Sequence, residues 1–210
     1  MDETGLLKEA EILMADKDPA HDFSHVLRVL KIAKAIGIKE KADMSVLVPA
    51  AILHDAGRQG KATIDERKRS AGESAAMAKE LLKKYGYPDA LLNKILYAID
   101  VHSFSKGAAP ETLEAKILQD ADRLDAIGAI GIARCFAVGG QLRRRLHHEE
   151  DPIAKNREPD DEKYSVDHFY RKLMLLKSGM HTAAARRLAE RRHKFLETFL
   201  EQLQKDVNGE

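Results

Sequence analysis

Three stretches place titratable side chains where an apolar pattern would exclude them. "HDFSH" at 21–25 opens a helical pattern in which His25 shares a stripe with Val29, Ile32 and Ile36, so its imidazole points towards the core. "AILHDAGR" at 51–58 ends an apolar run in adjacent His54 and Asp55, and "AKILQDADRLDAIGAIGIARCF" at 115–136 sets Asp122 and Asp125 on one side of a helix with Leu118 and Ala129. Each has an ordinary reading: a hydrogen-bonded core histidine, a pair bonded to local backbone, a salt bridge from Arg123 to one of Asp120, Asp122 and Asp125. Taken together, two histidines and two aspartates on three buried helices make a mixed nitrogen and oxygen set. That set suits a divalent ion with open positions, such as Mn²⁺, Fe²⁺, Co²⁺, Ni²⁺ or Zn²⁺, and the chemistry such an ion favours is hydrolysis.

The elements that must position these residues are helical. Apolar positions recur at helical spacing almost throughout, which predicts an all-α fold with helices near 4–16, 22–37, 45–56, 68–85, 88–102, 111–138, 163–177 and 181–204. Asp22 or Ser24 can cap the second, and Gly37, Gly57 and Gly86 fall where helices should stop. Pro49 must sit in a first turn or kink its helix, and Gly128 and Gly131 either allow a close approach or break 111–138 in two. The charged stretch 139–162 has little periodicity and reads as a long, mobile loop, or as a lid if "LRRRLHH" at 142–148 closes over a substrate.

With 210 residues and 44% apolar content the chain can bury one good core, which predicts a single domain over 1–210. The 35 basic and 34 acidic residues nearly cancel and aromatics are only 5%, so neither a phosphate track nor stacking platforms for nucleic acid are expected. Cys135 is the sole cysteine, which excludes an intrachain disulfide, and no stretch approaches 18 uncharged apolar residues. These features predict a cytoplasmic protein with no membrane partner; the oligomeric state, a homodimer included, stays open.

The order His25, His54-Asp55, Asp122 resembles the H…HD…D signature of the HD-domain metal-dependent phosphohydrolases, which are all-α. More narrowly, "HDFSHVLRVLKIA", "AAILHDAGR", "VHSFSKG", "KILQDADRLDAIGAIGIARCFAVGG" and "HFYRKLMLLKSGMHTAAARRLAERRHKFLETFL" are similar to a bacterial branch like the nucleoside triphosphate pyrophosphohydrolases, over about 19–203. The resemblance implies an HD-domain bundle with core about 19–138 and additional C-terminal helices about 163–204. It implies His25, His54, Asp55 and Asp122 as ligands of one divalent metal, with Mn first and Mg, Co, Ni, Fe or Zn as alternatives. His21 and Asp22 are then left to capping or to support of the ligands.

Phosphoryl chemistry also needs positive groups and an acid for the leaving oxygen. The candidates for catalysis are Arg58, Glu73, His102 and Asp125, and those for substrate binding are Lys61, Lys106, Arg123 and, from the segment after the family's "GG", Arg144. Dinuclear HD branches add histidines between the HD pair and the last aspartate, whereas here only His102 lies there, which favours one metal. The resemblance thus implies hydrolysis of a nucleoside triphosphate to monophosphate and pyrophosphate. A nucleotidase, a phosphodiesterase and a non-catalytic metal or nucleotide sensor are the alternatives.

Overall fold

The computed structural model describes residues 2–15, 17–18, 20–57, 64–103 and 109–210, with backbone alone over 64–69. The α-helices are α1 (Glu3–Met14), α2 (Phe23–Glu40), α3 (Met44–Leu53), α4 (Ile64–Lys84), α5 (Asp89–Val101), α6 (Leu113–Asp125), α7 (Gly128–Gln141), α8 (Asp167–Arg171) and α9 (Ala183–Asn208), with a 3₁₀ segment at Leu173–Gly179. No strand occurs among the described residues, and the all-α expectation holds. The chain divides into two compact units, residues 1–123 and 124–210.

In the first unit α3 packs against α1, α2, α4 and α5. Its sequence, MSVLVPAAIL, is apolar on nearly every side, and Val46, Leu47, Ala50, Ala51, Ile52 and Leu53 are all buried. Burying each of its larger aliphatic side chains is worth about 1.5–3 kcal/mol, so this helix anchors the unit. Pro49 lies well inside α3 rather than in its first turn. Lacking an N–H, it gives up one helix hydrogen bond at that point. Side chains fix the helix starts: Asp22 accepts from His25 N, and Asp43 accepts from Ser45 N.

The end of α3 lies hard against α4. Gly57 N donates to Ser74 Oγ at 3.0 Å, and a Cβ on Gly57 would come within 2.4 Å of Ser74 N and 2.5 Å of the Glu73 carbonyl carbon. Only glycine lets the two backbones approach this closely.

The helix expected over 111–138 is two helices. Gly128 has φ +78, and a Cβ on Gly131 would stand 2.2 Å from the Ala126 carbonyl oxygen, so the chain turns at 126–127 and restarts as α7. The expected helix at 163–177 is also shorter: five residues of α8 followed by the 3₁₀ segment.

In the second unit α7 and the 3₁₀ segment pack on α9. Phe136, Phe169 and Phe199 make its aromatic core, with the Phe169 and Phe199 rings stacked at 5.7 Å. The stretch expected to be a mobile loop is cross-linked. Arg157 grips the buried Asp167 through Nη2 to Oδ1 at 2.7 Å and Nη1 to Oδ2 at 2.5 Å, and Asp151 accepts from Lys155 N and Asn156 N at 2.9 and 2.8 Å. Cys135 is buried and donates to the Ser165 carbonyl at 3.3 Å.

Two outcomes follow from this packing. Gly57→Ala should destabilise the protein by about 1–3 kcal/mol in urea unfolding, because backbone must move to admit the methyl group; an unchanged midpoint would contradict the close approach. Burial pushes the Cys135 thiol up to about 12. The native chain should therefore react with a disulfide reagent at pH 8 orders of magnitude more slowly than the guanidinium-unfolded chain, which should titrate one thiol.

Candidate metal centre

Helix ends aim the side chains of the first unit at one place. His54 is the residue after α3 and His102 the residue after α5, and both adopt the same device. The ring of His54 donates from Nδ1 to the Ala51 carbonyl at 2.9 Å, and that of His102 donates from Nδ1 to the Ile99 carbonyl at 2.6 Å. Carbonyls in the last turn of a helix are short of in-helix donors, so each bond gives one a side-chain donor, Ile99 also accepting from His102 N at 3.5 Å, while fixing the imidazole. A carbonyl only accepts, which puts the ring proton on Nδ1 and leaves the Nε2 lone pair facing inwards in the neutral ring. His25 comes from the first turn of α2, begun by the Asp22 cap, and is fully buried.

The inward-facing atoms converge. His25 Nε2 lies 3.2 Å from His54 Nε2, 3.5 Å from Asp122 Oδ1 and 3.7 Å from Asp55 Oδ2. His54 Nε2 is 3.9 Å from Asp55 Oδ2, and His102 Nε2 is 3.7 Å from Asp55 Oδ1. Two groups result, His25 with His54 and Asp122, and His54 with Asp55 and His102, each with its ligand atoms within 4.8 Å of one another. Ligands about 2.1 Å from a common ion stand roughly 3–4 Å apart, so these separations fit a shared cation. At 3.5–3.9 Å the nitrogen–oxygen pairs are too long to be hydrogen bonds. Lone pairs and carboxylates gathered this way need positive charge between them.

The electrostatics lead to the same conclusion. Burial lowers the pKa of His54 to about 4, helped by the charges of His102 and His25 and opposed by Asp55 and Asp122, so its Nε2 is bare at neutral pH. At His102 burial again disfavours charge, but Asp55 and Asp122 outweigh it and raise the pKa. Burial raises the pKa of Asp122, yet the three imidazoles acting together bring it below the ordinary aspartate value. Asp122 is thus held in its ionised form, and His54 offers nitrogen rather than a proton.

The structure brings His25, His54, Asp55 and Asp122 together and adds His102 to them. Sequence reasoning weighed His102 for catalysis but missed it as a possible ligand beside Asp55. The available signal was that "AILH" and "AIDVH" both end apolar helices in histidine. Glu73 lies on an exposed face of α4 and joins neither group. Asp125 is buried but accepts from Arg134 Nη1 at 2.7 Å. Arg123 sits in the field of Asp120 and Asp122, with burial lowering its pKa. Arg144 belongs to the second unit, and Arg58, Lys61 and Lys106 lie outside the described residues. No helix among the described residues is long and apolar enough to cross a membrane.

The family described as "HD domain" matches residues 22–127, the span that holds His25, His54, Asp55, His102 and Asp122. The uncharacterised protein YpgQ of Bacillus subtilis (strain 168) is 36% identical over 202 residues, covering 94% of this chain and 89% of YpgQ. A crystal structure of B. subtilis YpgQ in complex with ADP superposes with a TM-score of 0.77 at 30% identity, covering 98% of this chain and 94% of that one. An HD-superfamily hydrolase from Bacillus thuringiensis gives 0.77 and 30%, covering 100% and 98%. With the domain matched over half its length and a relative this similar across nearly all of it, the chain belongs to the HD domain family.

Proposed function

We propose that the chain is a divalent-metal-dependent phosphohydrolase that splits a nucleoside triphosphate into the monophosphate and pyrophosphate. The observation that carries this reading is the convergence of the buried His25, His54 and Asp55 with the part-exposed Asp122, with lone pairs and carboxylate oxygens turned towards one another. The likeness to an HD-superfamily hydrolase supports hydrolysis, and the ADP complex of YpgQ supports a nucleotide as ligand.

His25, His54, Asp55 and Asp122 would hold the ion, manganese first among the candidates, with His102 steadying Asp55 from its other oxygen. A divalent ion there supplies Lewis acidity towards a phosphoryl oxygen and towards water. With its pKa raised by Asp55 and Asp122 against burial, His102 is the imidazole best placed to take up a proton at Nε2, and on this reading it passes that proton to a leaving oxygen. Arg58, Lys61, Lys106, Arg123 and Arg144 are the proposed partners of the phosphate charges, Glu73 of a water and Asp125 of the acid–base steps.

Substituting a ligand should remove the metal. His54→Ala and Asp55→Ala should each lose bound metal by elemental analysis and lose hydrolysis, while His193→Ala on α9 does neither. Asp120 and Asp122 are two apart on a helix, so their side chains diverge by about 200°. Asp122→Asn should therefore lose metal far more than Asp120→Asn, and the reverse ranking would mean that the last ligand is misplaced.

The bond cleaved is read separately. If water attacks the α-phosphorus, hydrolysis in ¹⁸O-labelled water labels the nucleoside monophosphate and leaves pyrophosphate unlabelled. Label only in orthophosphate would reject that attack and turn the reading to a nucleotidase at the same metal. No turnover of any nucleotide by the metal-loaded protein would point to a sensor.

A further inference from the structure

The helix that carries Asp122 is tied to its neighbours by side-chain hydrogen bonds. Just before α6, Glu111 N donates to Tyr97 Oη of α5 at 3.0 Å, and in the first turn of α6 Glu114 Oε1 accepts from Asp43 N, at the start of α3, at 2.9 Å. Both bonds are exposed, so water can stand in for either partner. A third bond lies deeper. Gln119 Nε2 donates to the Val101 carbonyl at 3.2 Å, and Gln119 and Val101 are both buried. A carbonyl only accepts, so the amide must present its NH₂ group to it.

This third bond joins two of the elements that deliver the converging side chains. Gln119 precedes Asp122 by three residues on α6, so the two leave the same side of that helix. Val101 ends α5, and its carbonyl belongs to the peptide unit that leads into His102. One side chain therefore holds α6 a turn before Asp122 and α5 at the peptide before His102. The His102 ring is fixed at Nδ1 by the Ile99 carbonyl at 2.6 Å, and its Nε2 lies 3.7 Å from Asp55 Oδ1, so where the ring stands depends on where the end of α5 is held. An amide is costly at a position that an aliphatic side chain would fill, and hydrogen bonding is what makes it tolerable there.

We propose that Gln119 is a positioning residue of the metal centre, setting the spacing between Asp122 and the pair His102–Asp55. This rests on the reading of the site as a metal centre. His25 with His54 and Asp122, and His54 with Asp55 and His102, are two groups that share His54. A shift of the α5 end against α6 would therefore alter the fit of both groups around one ion, and the buried bond from Gln119 opposes that shift.

The test uses Mn²⁺ and Co²⁺ with the full chain, stripped of metal by chelation and dialysed free of chelator. Gln119→Met keeps the length of the side chain and removes the donor, and Gln119→Glu keeps the shape and sets an oxygen against the Val101 carbonyl. Each should weaken Mn²⁺ binding about tenfold in calorimetry and shift the visible absorption of bound Co²⁺, which reports ligand geometry. Tyr97→Phe, which removes the exposed bond from Glu111, and Ile95→Val, which loosens the core side of α5, should leave both readouts unchanged. In the unaltered, metal-free chain the side-chain amide protons of Gln119 should exchange slowly with deuterated water, a measurement that needs no variant to fold. Fast exchange there would overturn the bond. Unchanged affinity and Co²⁺ absorption in the Gln119 variants, or equal losses in Ile95→Val, would overturn the positioning role while leaving the metal centre standing. No metal bound by the unaltered chain would overturn the metal centre and this role with it.

Discussion

The first unit is organised around one unfavourable act, the burial of Asp55 among groups that also carry lone pairs. An ionised carboxylate withdrawn from water is strongly destabilising unless positive charge comes with it. His54 does not supply that charge, since it is driven to the neutral form and its one ring proton is committed to Ala51. His102 is drawn towards the charged state, with its Nε2 3.7 Å from Asp55. Asp55, Asp122 and the imidazoles could hold a cation between them, and the surrounding helices have to be stable enough to bear the cost of gathering them.

The anchoring of α3 answers this demand. A helix apolar on all sides buries enough surface to carry His54 and Asp55 at its end, and Gly57 seals that end against α4 with no room for a side chain. The histidines after α3 and α5 accomplish two things with one bond. Each gives a carbonyl of the last helical turn a side-chain donor, and each fixes a ring in the tautomer whose other nitrogen carries a lone pair. Helix termination and the orientation of the inward nitrogen are therefore the same interaction.

What the sequence revealed and what it hid divide along physical lines. His25, His54-Asp55 and Asp122 stood out because a polar group on an apolar face is anomalous whatever the tertiary fold, and helical periodicity placed the elements that carry them. The pairing of His102 with Asp55 could not be seen, since it depends on two helix ends meeting in space. Asp125 had the same sequence signature as Asp122, yet Arg134, nine residues later, takes its charge once the chain breaks at 126–127. That break was only half visible: Gly128 and Gly131 marked it, but the contact of Gly131 with the Ala126 carbonyl decided it. The charged stretch 139–162 looked mobile because its apolar pattern is weak. Its order comes instead from polar groups such as Arg157 on Asp167, for which sequence periodicity has no signal.

Composition concealed the most informative feature of all. A net charge of +1 from 35 basic and 34 acidic residues suggests a chain without electrostatic preference. Locally the balance fails, because acceptors gather around Asp55 and Asp122 with three imidazoles among them. Such a gathering is costly as a purely structural arrangement, since like groups are held together partly out of water. A cation relieves that cost. On the proposed reading the cation is a divalent metal, so the imbalance that destabilises the first unit when left alone is complementary to the charge that phosphoryl chemistry requires.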